Sequence, residues 1–242
     1  MMDTEHLFNQ YNEILLDYQD LLYSPFRDPR RNPSPVIGFL DAPLFQESME
    51  EREEMLKRLE RTILQCERCR LSRGRTHAVP GMGVLDPLVM VIGEGPGAEE
   101  DRQGFPFVGA AGQFLAKWLA AVGLSREKNA YIANVVKCRP PGNRDPQGDE
   151  VAACFPYLVK QVELIRPRTI LAVGRIAAQC LLQTNRGIGS LRGTVHRWKD
   201  IPLVATYHPS AVLRDMNLKR PVWEDLKRLK AILDSFPPTR SK

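Results

Sequence analysis

Two spacings of apolar residues alternate along the chain. Leu88-Val89-Met90-Val91-Ile92 is an unbroken apolar run that stops at a glycine-rich turn, as a strand buried on both faces does. Further strands are predicted over 130–136, 169–173 and 201–206. Between them the spacing changes to that of helices, over 112–122, 148–165, 175–182 and 221–233, with a charged helix over 48–64 in front. Strands alternating with helices imply a three-layer α/β/α sandwich around a mainly parallel four-stranded central sheet. Sites in such folds lie beyond the carboxyl ends of the strands, so the segments that follow each strand are the ones to search for chemistry.

The first 45 residues have a different character. Leu7, Tyr11, Ile14, Leu15, Tyr18, Leu21 and Leu22 keep helical spacing, and five prolines follow between Pro25 and Pro43. We expect an extension over 1–45, helical and then proline-rich, flexible or docking a protein partner, ahead of one domain over 46–242. Charge divides in the same sense. Residues 1–60 carry a net −7 and residues 61–242 a net +12, so the main body suits a polyanion such as nucleic acid. No apolar stretch approaches the ~20 residues of a membrane span. The amino terminus lacks a basic start followed by an apolar run, so a cytoplasmic monomer is expected.

Five cysteines in such a chain point to metal rather than disulfides. Cys66 and Cys69 form a C-x-x-C pair after the charged helix, Cys138 follows the second strand, and Cys154 lies in the helix after it. Four thiolates from two regions can hold a zinc ion or an iron–sulfur cluster, and spacing alone does not choose. Cys180, in an apolar helix, reads as an ordinary packed residue.

The turn Gly93-Glu94-Gly95-Pro96-Gly97-Ala98 mimics a dinucleotide-binding fingerprint. Pro96 removes a backbone donor, and the acidic Glu99, Glu100 and Asp101 would repel a pyrophosphate. A backbone-lined pocket for a flat base is the better reading, with Gly95 allowing close approach.

Taken together, the turn over 93–101, Gly104-Phe105-Pro106-Phe107-Val108-Gly109, Asn134-Val135-Val136-Lys137-Cys138-Arg139-Pro140-Pro141 and His208-Pro209-Ser210-Ala211-Val212-Leu213-Arg214 resemble the family 4 uracil-DNA glycosylases, the iron–sulfur branch of that superfamily. The likeness runs over about 60–233. It implies a structural [4Fe–4S] cluster on Cys66, Cys69, Cys138 and Cys154. It implies that Phe107 stacks on an extruded uracil, that Asn134 reads the base edge and that His208 stands by the leaving base. Members that cross-link to DNA carry glutamine where this chain has Glu94, and an inserted basic loop with a histidine; no histidine lies between Phe107 and Asn134 here. Ordinary turnover on single- or double-stranded DNA is the expectation, with a non-catalytic or cross-linking uracil-DNA binder as the alternative.

The chemistry suits these residue types. A glycosylase must flip its target nucleotide out of the stack, and an aromatic face such as Phe107 holds a base for ~1–3 kcal/mol without reading it. Asn134 offers the donor and acceptor that match uracil and mismatch cytosine. A donor at His208 would stabilise the departing anion. Ser210 opens a helix that can present backbone N–H groups to a phosphate; Leu213 is a candidate wedge, and Arg214, Arg139 and Arg144 are candidate phosphate contacts. For water activation, Glu94 and Glu100 are the candidates.

Overall fold

The computed structural model describes residues 47–237. The helix expected over 1–22 and the proline-rich stretch after it lie outside the described residues. The chain divides between Glu51 and Arg52, and the second unit carries the fold.

In chain order the elements are helix α1 (Met49–Leu64), strand β1 (Met82–Gly83), β2 (Val89–Gly93), α2 (Ala98–Gln103), α3 (Ala110–Ala121), β3 (Ala130–Asn134), α4 (Gly148–Ile165), β4 (Ile170–Val173), α5 (Arg175–Leu182), α6 (Ile188–Leu191), β5 (Val195–Trp198), β6 (Ile201–Thr206), α7 (Pro209–Arg214) and α8 (Lys219–Ser235). Strand order in the sheet is β1-β3-β2-β4-β6-β5. The four expected strands form its parallel centre. Two short antiparallel strands, β1 on β3 and β5 on β6, extend the edges to give a six-stranded sheet among the described residues.

Burial on both faces explains the unbroken apolar runs. Val89, Val91, Ile132, Leu171, Val173 and Val204 pack with Leu115 and Leu119 of α3 and Leu226 and Leu229 of α8 in one core. Strand residues of the opposite parity, such as Met90, Ile92 and Ala172, are equally buried, and α4 and α5 pack against β3 and β4. Two helical layers on one sheet are what period-2 burial on both faces requires.

This topology positions the site. β2 has β3 on one side and β4 on the other, so the chain reverses its direction of travel across the sheet at β2. The carboxyl ends of β2, β3, β4 and β6 therefore open onto a common crevice. Strand β3 is shorter than expected: Val135 and Val136 leave the ladder and bond instead to the carbonyls of Gly93 and Glu94, at 2.9 and 3.0 Å.

Candidate active site

A cleft of ≈ 410 Å³ lies beyond those strand ends, lined by Asn134 of β3 and by residues just after β2, β4 and β6. Gly93 ends β2 in register with Asn134, the last residue of β3. A Cβ on Gly93 would stand 2.5 Å from Asn134 Oδ1 and 2.7 Å from Phe107 Cζ. Only glycine lets the amide and the ring close over the strand at that point.

Phe107 sits in a loop at φ +53°, a left-handed conformation that costs a bulky residue ~1–3 kcal/mol unless its surroundings impose it. Here they do. Glu100 Oε1 accepts the N–H groups of Val108 and Gly109, each at 2.9 Å. The Arg126 guanidinium donates to the Pro106 and Phe107 carbonyls at 3.1 and 2.9 Å. Gly112 of α3 packs so closely that a Cβ there would lie 2.0 Å from Phe107 O. The ring is buried, part of the apolar core on one side and of the cleft wall on the other.

Asn134 is 1% exposed, yet among the described residues its Oδ1 has no hydrogen-bond partner. A buried acceptor left bare costs roughly 1–3 kcal/mol. It lines the cleft, so a ligand carrying an N–H would satisfy it.

His208 caps α7: its Nδ1 accepts the Ser210 N–H at 3.1 Å, with Ser210 Oγ 2.7 Å away. With Nδ1 an acceptor, the ring proton resides on Nε2. Burial, aided by the Arg214 charge and opposed by Glu100, pushes the imidazole down to about 4. At neutral pH the side chain is thus an uncharged Nε2–H donor.

The acidic run divides by role. Burial, with Asp145 nearby, pushes the Glu94 carboxyl up to about 7 against the pull of Arg175, and Glu94 lines the cleft. Glu100 also reaches the cleft, but one of its oxygens is committed to the Phe107 loop. Asp101 is buried and accepts the Thr76 and His77 N–H groups, while Glu99 is exposed and pairs with Arg102.

Gly95, Ser210 and Arg214 line the cleft, and Leu213 projects beside them on α7, 44% exposed. Arg144 also lines it, but its guanidinium grips the buried Glu150 carboxylate in a two-pronged pair at 2.7 and 2.8 Å. Arg139 does not line the cleft and donates to Asn143 Oδ1 at 2.8 Å. Three polar cleft residues carry no sequence expectation: Asn143, Asp145 and Arg175, the last two an ion pair. Gly174-Arg175 directly follows the carboxyl end of β4, a position the strand-end rule would have flagged.

A second, much smaller cavity, of ≈ 10 Å³, is walled by Cys66, Cys69, Cys138 and Cys154 together. Cys180 lies outside it. Backbone N–H groups of Arg68 and Lys137 point at Cys66 Sγ and Cys154 Sγ, at 3.5 and 3.2 Å, and Arg75 Nη1 lies 3.1 Å from Cys138 Sγ. Such donors suit thiolates carrying shared negative charge. Among the described residues, no three Cys, His, Asp or Glu side chains gather tightly enough for one metal ion. Four sulfurs walling one space are a donor set that a zinc ion or an iron–sulfur cluster takes.

Comparison with known proteins identifies the chain's family. The family model for the uracil DNA glycosylase superfamily matches residues 80–227. A type-4 uracil-DNA glycosylase of Archaeoglobus fulgidus is 42% identical over 194 residues, covering 77% of this chain and 97% of the relative. One from Thermotoga maritima is 41% identical over 192 residues, covering 76% and 98%. A type-5 uracil-DNA glycosylase of Pyrobaculum aerophilum is 34% identical over 148 residues, covering 54% and 65%. The chain belongs to the uracil-DNA glycosylase superfamily, and within it to the type-4 group.

Proposed function

We propose that this chain is a monofunctional DNA-repair enzyme that flips uracil out of DNA and hydrolyses its N-glycosidic bond, leaving an abasic site. The observation that carries the reading is the bare, buried Asn134 Oδ1 in a cleft that also holds the Phe107 ring and the His208 imidazole. Uracil N3–H would satisfy that acceptor, and the amide NH2 would meet O4. Cytosine has no proton on N3 and presents a donor in place of O4, so it leaves groups unpaired on both sides.

As the C1′–N1 bond breaks, its electron pair departs with the base and spreads onto O2. The neutral Nε2–H of His208 donates there and keeps its proton, while the water oxygen bonds to C1′ and its proton passes to the Glu94 carboxylate or to solvent. Glu100 acts by holding the loop that presents Phe107. Leu213 fills the vacated stack, and Ser210 and Arg214 engage phosphate, with Arg139 and Arg144 at the periphery of the track.

The four cysteines would hold a [4Fe–4S] cluster, which supplies a structural tie between the 66–69 segment and the base of the cleft and takes no part in bond breaking. Among the described residues, no helix is long and apolar enough to cross a membrane; a cytoplasmic monomer, with residues 1–45 available to a protein partner, completes the reading. The test is incubation with an oligonucleotide bearing one deoxyuridine, then alkali, with iron and acid-labile sulfide measured on the same preparation. Scission at the uracil position and equal iron and sulfide are expected. An intact strand, or a zinc-loaded colourless protein, contradicts the corresponding half.

A further inference from the structure

Two buried side chains behind Asn134 are used by nothing described so far. Lys137 is 1% exposed and Gln161, on α4, is fully buried. Lys137 Nζ donates to the Asn134 carbonyl at 2.8 Å and to Gln161 Oε1 at 2.6 Å. Gln161 Nε2 in turn donates to the Pro80 carbonyl at 2.9 Å. The Lys137 backbone is fixed as well: its N–H points at Cys154 Sγ, and its carbonyl accepts the Val79 N–H at 2.7 Å.

The sheet explains why such a group is needed. Successive residues of a strand turn their N–H and C=O to opposite sides. Val135 N–H goes to Gly93 on β2, so the Asn134 carbonyl faces the opposite side, toward β1. But β1 pairs only with Tyr131 and Ile132 and stops short of Asn134. The Lys137 ammonium takes the place of the absent strand. A buried ammonium is costly unless its protons are used and counter-charge is near. Here Nζ is spent on the Asn134 carbonyl and Gln161 Oε1, and Cys138 and Cys154 line the same cavity as Lys137.

We infer that Lys137 and Gln161 are positioning residues that lock the Asn134 peptide, and with it the orientation of the amide that meets the base. The inference rests on the reading of Asn134 given above. It extends it, because it assigns part of base recognition to two residues that never touch the base and links that recognition to the wall of the cysteine cavity.

The test uses the full chain and two ligands: free uracil, measured as an inhibitor of excision, and abasic-site DNA, measured by direct binding. Gln161→Leu removes one acceptor from the ammonium. It should weaken inhibition by free uracil about tenfold while abasic-DNA affinity stays within about twofold, since only the former depends on the amide's aim. Gln161→Glu, which keeps the acceptor, should stay within about threefold of the unaltered protein for both ligands. Gln161→Asn withdraws the acceptor by one methylene without adding bulk; it should give the same pattern more weakly, and it serves if the leucine variant does not fold. The cluster's visible absorbance, recorded on each variant, should not change. Unaltered uracil inhibition in Gln161→Leu and Gln161→Asn, or a parallel loss for uracil and abasic DNA, overturns the inference. An unaltered protein that excises uracil and is inhibited by it, paired with variants that behave identically, leaves the function standing and removes the strut alone. Indifference of the unaltered protein to free uracil removes the Asn134 reading and the strut together.

Discussion

The rings of Phe107 and His208 lie 5.7 Å apart between centroids and are tilted by 34°. That spacing is too small for a base to slide between them as a sandwich. A base stacked on Phe107 would instead meet the imidazole at its edge, where O2 of a pyrimidine lies. Asn134 approaches the same space from the strand beneath, across Gly93.

Changing Asn134 should change which base fits. In Asn134→Asp a carboxylate accepts from the cytosine amino group and loses its donor to uracil O4. Uracil excision should fall about 10- to 100-fold and cytosine release should become detectable, measured on matched oligonucleotides.

The carboxylates and the histidine differ in what they impose on pH. Glu94, raised to about 7, is protonated below that value and becomes a base as pH rises through it. The rate should therefore climb with pH to a plateau above about 7, and Glu94→Gln should lower the plateau and abolish the limb. His208, lowered to about 4, is already neutral across that range and should add no limb of its own. A profile of kcat/KM against pH for both proteins checks the two statements together.

Phe107 can be displaced without being touched. Gly112→Ala would put a Cβ 2.0 Å from the Phe107 carbonyl and force the loop away. Uracil excision should drop by about tenfold or more, as stacking worth ~1–3 kcal/mol is lost. The far-UV circular dichroism should be unchanged, which separates a local shift from global damage.

Leu213 is 44% exposed and so contributes little to stability. Leu213→Ala should shift unfolding by less than about 0.5 kcal/mol. If the side chain is a wedge, excision from duplex DNA should suffer several-fold more than excision from single strands, because only the duplex has a stack to hold open.

Much of this was legible in the sequence, for physical reasons that differ by element. β2 and β4 are short apolar runs buried on both faces, and α4 and α5 match the helical spacing from end to end. β5, Val-His-Arg-Trp, is a half-exposed edge strand with no apolar run. β1 has two residues, and pairing with β3 alone defines it. Within the site, Asn134 and His208 fall in or just after strands that the pattern reveals, whereas Phe107 lies in a loop and is reached only through the family resemblance. The work of Glu100 is not legible, since it depends on a loop folding back onto it. Nor is that of Lys137, because a lysine is expected in solvent and only tertiary packing buries it. Arg144 is legible as a cation, but its commitment to Glu150 is not.

The proposed activity requires Phe107, Asn134 and His208 to converge around one everted uracil. The decisive measurement is the single-turnover rate of uracil release from one deoxyuridine oligonucleotide by the unaltered protein and by Phe107→Ala, Asn134→Ala and His208→Ala. Release by the unaltered protein is expected, with losses of about 10²–10³-fold for His208→Ala and about 10-fold or more for the other two. Rates left intact in any two of these variants, with uracil still released, would contradict it.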